Sequence, residues 1–262
     1  MRALKTARFL FALTVCLSAF VVFAGGHLVL LYAARAVTRP PAARARDSLF
    51  AWQEFWTPTL LGLFCLLVGL RLEYTLPPKA THGPVIALAN HRSWLDIFVL
   101  TGALHRLGSF RLVAVVKTSV ARIPVLGWFA RGIRCAVVTR KKAQRDEDLA
   151  RICACARHAE EDAATVVIFP EGTRNKQAEE RAVLDPKIGG LTALMDTLLT
   201  REILVVVVKW PPGVRVRTLL EGSTLVGATL PVEAVFVPRE GRTPSEVLSD
   251  AMGLMERRLA QT

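Results

Sequence analysis

The chain opens on a long apolar run, residues 9–32, broken only by Thr14, Ser18 and His27 and carrying no charge. Wound as a helix it would extend about 36 Å, more than the ~30 Å hydrocarbon core of a bilayer. A basic stretch follows, with Arg35, Arg39, Arg44 and Arg46 around the Pro40-Pro41 break. A second apolar run, residues 55–70, contains Pro58 and would reach only about 24 Å as a helix. Together the two runs predict a helical hairpin. The N-terminus, the connection and the start of the following region are all basic, so full crossings would strand four arginines on the far side. A re-entrant hairpin dipping into the cytoplasmic leaflet keeps every positive charge on one face, with Trp52 and Trp56 at the interfacial level. A signal peptide fits less well, because its apolar segment spans only about 7–15 residues.

From about residue 76 the pattern changes to short apolar runs alternating with longer mixed segments. Strands are expected at 85–89, 111–116, 135–139, 166–169, 203–209 and 232–237, several of them dense in valine as strands covered on both faces are. Helices are expected at 94–105, 119–131, 146–159, 188–200 and 245–260. In the third of these Leu149, Ile152, Cys153 and Ala156 recur on one face. Such alternation predicts an α/β fold, a mostly parallel sheet flanked by helices, preceded by the hydrophobic hairpin. Residues 1–75 then form a membrane-associating segment and residues 76–262 a catalytic-type domain. Pro211-Pro212-Gly213 marks a turn.

Charge sharpens the picture. The 262 residues are 52% hydrophobic yet carry a formal net charge of +12. Basic and apolar together fit either nucleic acid or an anionic bilayer. No reader motif or basic stripe with interleaved aromatics is present, so no nucleic-acid partner is expected. A basic collar near anionic lipid contributes about 1 kcal/mol per Lys or Arg. The five cysteines, Cys16, Cys65, Cys135, Cys153 and Cys155, form no Cys-x-x-Cys pair. They read as small buried hydrophobes, and neither a disulfide framework nor a metal site is expected.

Two short stretches carry chemistry. Asn90-His91-Arg92-Ser93-Trp94-Leu95-Asp96 lies where a strand ends and a helix begins, a common place for active sites in open α/β sheets. A hydroxyl attacking a thioester needs a base, and imidazole held in one tautomer by a carboxylate supplies it. The geometry works if His91 lies just outside the helix and Asp96 curls back from its first turn. Ser93-x-x-Asp96 is equally a capping box, and the two roles are compatible. The second stretch, Phe169-Pro170-Glu171-Gly172-Thr173-Arg174, follows a strand directly. Gly172 permits close backbone approach, Arg174 offers a planar fork for phosphate, and Glu171 can accept hydrogen bonds from a polyol. A serine hydrolase or thioesterase using Ser93 is the rival within catalysis, and it lacks a Gly-x-Ser-x-Gly elbow. A non-catalytic lipid-binding protein is the rival outside it.

In this order and about 80 residues apart, the two stretches resemble the glycerolipid acyltransferase family that includes the 1-acylglycerol-3-phosphate (lysophosphatidic acid) acyltransferases. Between them, Lys117-Thr118-Ser119-Val120, Ile123-Pro124-Val125-Leu126-Gly127-Trp128 and Ala136-Val137-Val138-Thr139-Arg140 look like the family's Lys-x-x-Leu, Pro-x-x-Gly-Trp and Ile-Phe-Ile-Asp-Arg segments. The resemblance implies that His91 is a general base and Asp96 its orienting partner. It implies that Glu171, Gly172, Thr173 and Arg174 bind the acyl acceptor, and that Lys117 and Arg140 help to hold its phosphate. It also implies an O-acyltransferase at the cytoplasmic face of a membrane (the inner membrane if bacterial), in contact with membrane phospholipids. A lysophospholipid would be the acceptor, acyl-CoA or acyl carrier protein the thioester co-substrate, with no cofactor beyond it. Another lysolipid acceptor remains open. Two departures stand out: Thr139 replaces the family's Asp, and Val205-Val206-Val207-Val208-Lys209-Trp210-Pro211 replaces its late Val-Pro segment.

Overall fold

A computed structural model describes residues 2–78, 83–175, 181–214 and 220–261. Helix α1 (Arg2–Ser18) continues through a π-helical turn at Ala19–Ala24 into α2 (Gly25–Thr38). The result is one helix of 37 residues, long and apolar enough to cross a membrane. It ends where Arg39 takes φ 45° and Pro40-Pro41 cannot extend the ladder. Helix α3 (Ala42–Val68) then returns and closes the hairpin, ending at Gly69 with φ 75°.

At 27 residues α3 is far longer than the second apolar run. Its first half is charged on one side but buries Ala45, Leu49, Phe50 and Trp52 on the other. Trp52, expected at an interface, is core: its indole donates to the Ala24 carbonyl at 2.9 Å, and its ring lies 4.7 Å from that of Phe129. Buried Gln53 pairs both its amide atoms with the backbone of Leu112. The hairpin is thereby tied to the sheet by polar bonds as well as by packing.

The seven strands are β1 (Arg71–Thr75), β2 (Ile86–Ala89), β3 (Leu112–Lys117), β4 (Ala136–Val138), β5 (Thr165–Ile168), β6 (Ile203–Val208) and β7 (Thr229–Val237). They form one sheet in the order β1-β7-β6-β2-β5-β3-β4, parallel except where β7 meets β6. The fold is therefore the α/β arrangement expected, with β1 added ahead of residue 76. The remaining helices are α4 (Asp96–Arg106), α5 (Leu126–Gly132), α6 (Arg145–Glu161), α7 (Ile188–Thr197) and α8 (Pro244–Leu259). Helix α5 starts seven residues later than its apolar pattern predicts. Pro124 disfavours helix at the residue before it, and Val125 takes φ 65°. Gly127 is held so close to Ala121 that a side chain there would strike the Ala121 carbonyl.

Strand alternation divides the core. Ile86, Leu88, Val166, Ile168, Val205 and Val207 face α5, α6, α7 and α8. Ala87, Ala89, Val167, Leu204, Val206 and Val208 face α1, α4 and the second half of α3. Because the central strands are parallel, their C-terminal ends, with the residues just beyond them, share one edge.

Candidate active site

The site is built where β2, β5 and β6 end together. Ala89 stands opposite Val206 and Leu88 opposite Ile168. Beyond Ala89 the backbone of β2 leaves the sheet, and the side chain of Asn90 continues the pairing. Its Nδ2 donates to the Val208 carbonyl at 3.0 Å, and its Oδ1 accepts from the Val208 amide at 2.8 Å. A side-chain amide offers a peptide's own donor and acceptor, so β2 turns away without orphaning Val208.

That turn delivers His91. Its ring stacks on Phe169 with centroids 4.1 Å apart, and its Nδ1 lies 3.0 Å from Asp96 Oδ2. The same oxygen accepts from the amides of Arg92 and Ser93, each at 2.6 Å, while Oδ1 accepts from the Trp210 indole at 3.0 Å. Asp96 is wholly buried. A carboxylate has about four lone-pair sites, and four donors meet it here. An acceptor-only partner keeps the imidazole proton on Nδ1 and leaves Nε2 as the basic nitrogen. Asp96 does curl back from the first position of α4, as the spacing suggested. The capping pair is present in altered form, since Ser93 Oγ accepts from the Leu95 amide at 3.1 Å and not from that of Asp96.

The loop after β5 locks the other side. Buried Glu171 accepts from the His91 amide through Oε1 at 2.6 Å and from the Leu184 amide through Oε2 at 2.9 Å. Burial pushes its carboxyl up from the ordinary value, opposed by those two amides. The Asn175 amide donates to the His91 carbonyl at 2.6 Å, so His91 is held by both backbone groups. Gly172 has φ 68°, and a side chain on it would meet Lys187. Its carbonyl accepts from the Arg140 guanidinium. Thr173 and Arg174 are exposed. Arg174 has no hydrogen-bond or ion-pair partner among the described residues.

Of the two remaining basic candidates, Arg140 reaches this loop, and Lys117 makes no hydrogen bond or ion pair with it among the described residues. Lys117 is exposed at the end of β3, two places from β2 in the sheet. Arg140 leaves β4 with φ 62°. Loss of water around its guanidinium lowers its pKa from the ordinary value, with Asp148 opposing. Thr139 donates backbone and side chain to Asp148, and the Arg140 amide adds a bond of 2.7 Å. Burial alone would raise the Asp148 carboxyl, yet these donors and Arg151 hold it below the ordinary range. The turn that lacks the family's Asp thus receives a carboxylate from α6.

Phe169 also lines a cavity of about 500 Å³. Val138, Ile152, Ile168 and Ile188 give it an apolar interior, and Arg140, Lys141, Lys142, Arg145 and Lys187 contribute basic groups to its lining. Asn175 and Asp148 carry no sequence signal, and Trp210 stands out in the sequence only within the 205–211 segment that departs from the family's.

Fold and site together define an α/β protein with a histidine–carboxylate pair at the carboxyl edge of its sheet, beside a basic-lined apolar cavity. The acyltransferase family profile matches residues 71–209, and the chain belongs to that family. A lyso-ornithine lipid O-acyltransferase of Rhodobacter capsulatus is 31% identical over 159 residues, 59% of this chain and 50% of that protein. A 1-acyl-sn-glycerol-3-phosphate acyltransferase of Saccharomyces cerevisiae is 30% identical over 114 residues, 44% of this chain and 36% of that one. The chain thus spans half or less of the length of these relatives. The crystal structure of the 1-acyl-sn-glycerophosphate (LPA) acyltransferase PlsC from Thermotoga maritima superposes with a TM-score of 0.63 at 20% identity, covering 99% of this chain and 96% of that one. That likeness supports the fold.

Proposed function

We propose that the protein transfers a fatty-acyl group from acyl-CoA or acyl carrier protein to the free hydroxyl of 1-acylglycerol-3-phosphate, giving phosphatidic acid. The observation that carries this reading is the 3.0 Å contact between His91 Nδ1 and buried Asp96, which leaves Nε2 as the base. The acceptor hydroxyl gives its proton to Nε2 and attacks the thioester carbonyl. The C–O ester bond forms, the C–S bond breaks, and the proton passes to the departing thiolate. An acyl chain suits the apolar cavity, and the basic groups around it suit an anionic headgroup. Membrane attachment through the hairpin is part of the proposal. Phe11, Val22, Phe23, Leu30 and Val37 are each more than 60% exposed, an apolar face that water disfavours and lipid accepts.

The test incubates purified protein in vesicles with labelled acyl-CoA and, in separate reactions, lysophosphatidic acid, lyso-ornithine lipid and monoacylglycerol. Phosphatidic acid is the product expected to form fastest, because the site's surplus of cations favours a phosphate over a headgroup that carries its own amine. Faster acylation of lyso-ornithine lipid would move the assignment to that acceptor. Arg174→Ala should cut turnover of the phosphorylated acceptor about 10–100-fold and that of monoacylglycerol far less. Equal losses on both acceptors would make Arg174 structural.

Transfer is expected to be direct. Ser93 is buried with its hydroxyl engaged by Leu95. Burial pushes the Cys135 thiol up to about 12 and Cys155 up to about 11, leaving little thiolate at neutral pH. Both substrates must then be bound at once, giving sequential kinetics. A labelled acyl group trapped on the protein from donor alone, at the rate of turnover, would contradict this.

A further inference from the structure

We propose that Trp210 is a third member of the catalytic constellation, a positioning residue that acts on His91 through Asp96; this rests on the general-base reading above. Trp210 lies just beyond β6, the strand paired with β2, and is 4% exposed. Its backbone is fixed there. The Lys209 amide donates to the Pro231 carbonyl at 2.9 Å, and the Lys209 ammonium pairs with Glu233 at 2.6 Å. Pro211 follows at once. Where the resembled family carries a Val-Pro segment, this chain places an aromatic N–H.

The geometry gives that N–H a specific task. Asp96 Oδ2 is shared by His91 Nδ1 and two backbone amides, all from residues 91–93. Three donors thus hold one oxygen of the carboxylate. Trp210 is the donor on Oδ1, so it holds the other oxygen and restrains small tilts of the side chain. It also draws charge toward Oδ1, away from the oxygen that faces the imidazole. Removing it should loosen the orientation of His91. It should also change the hydrogen bond between His91 Nδ1 and Asp96 Oδ2, because donors on one carboxylate polarise one another. Glu171, which hydrogen-bonds the His91 backbone amide and whose charge also interacts with those of His91 and Asp96, keeps its contacts in such a variant.

Trp210→Phe keeps a ring of similar shape and deletes the donor. Its kcat should fall about 10-fold with both KM values within a few-fold. Nitrogen-15 NMR of His91 in the detergent-solubilised full chain should show the Nδ1 resonance moved, without reference to turnover. The Asp96→Asn background separates positioning from packing. There the amide NH₂ is driven toward Trp210, because the other edge meets three donors, so the indole N–H becomes a clash. Trp210→Phe should then leave the residual rate unchanged or raise it. Trp210→Leu serves the same comparison if the phenylalanine variant does not fold, and Trp210→His, with an N–H of shorter reach, should recover part of the rate. An equal loss in both backgrounds, with the His91 resonance unmoved, would overturn the proposal. A His91 resonance that moves in Trp210→Phe, with no acyl transfer by the wild-type protein, would refute the proposed function and leave the coupling standing.

Discussion

On the proposed general-base role, His91→Ala should lower acyl transfer by about 10²–10⁴-fold. The fold and the loop after β5 should survive the change. The backbone of His91 makes its two bonds, to Glu171 and from Asn175, without help from the imidazole. Asp96 retains the amides of Arg92 and Ser93 and the indole of Trp210. What disappears is the ring stacked on Phe169 and, with it, the proposed base. The loss should therefore fall on kcat, with the circular dichroism spectrum and vesicle binding unchanged. Initial rates with lysophosphatidic acid and acyl-CoA decide the matter. A rate within a few-fold of wild type would remove His91 from the chemistry.

The pair at the centre of that expectation is legible in the sequence because it is local. Five positions separate His91 from Asp96, and a strand-to-helix turn lets them meet. Central strands are legible for a similar reason. Ile203–Val208 is apolar at every position because both faces are covered. Legibility fails where long-range contacts decide. Trp210 and Asp96 stand 114 positions apart, and no spacing rule connects them. Arg71–Thr75 alternates exposed and half-buried residues, so this edge strand carries no apolar run and acquires its place only by pairing with β7. The first half of α3 is hidden by its charges, although every fourth or so residue is core. Glu171 lies between these cases. Its place after a strand marked it as functional, yet the direction of its oxygens, toward backbone amides on two segments, depends on the folded loop.

Glu171→Ala should both unfold the protein earlier and disable it. Two backbone amides, from His91 and Leu184, lose their buried acceptor. Each orphaned donor costs roughly 1–3 kcal/mol, partly offset because a carboxylate no longer has to be stripped of water. At about 2–4 °C per kcal/mol for a chain of this size, Tm should drop by about 5–15 °C. Glu171→Gln restores half of the arrangement. Its carbonyl can take one amide, but its NH₂ group must face the other, donor against donor, so the loop holding Leu184 or the turn holding His91 comes loose. A displacement of about 1 Å at His91 is enough to lower turnover about 10²-fold. The pH dependence has a definite sign. Burial raises the Glu171 carboxyl above its unfolded value, so the folded state binds the proton more tightly than the unfolded chain does. Its contribution to stability is then greatest in acid and declines as pH rises from the ordinary carboxyl value through the raised one. Neither variant has this group to titrate. The gap in Tm between wild type and either variant should accordingly be wider below the ordinary carboxyl value than at neutral pH. Calorimetric melts across that interval measure it, and a gap that widened toward neutral pH would mean that Glu171 is held as a stabilised anion, with the amide bonds outweighing its burial.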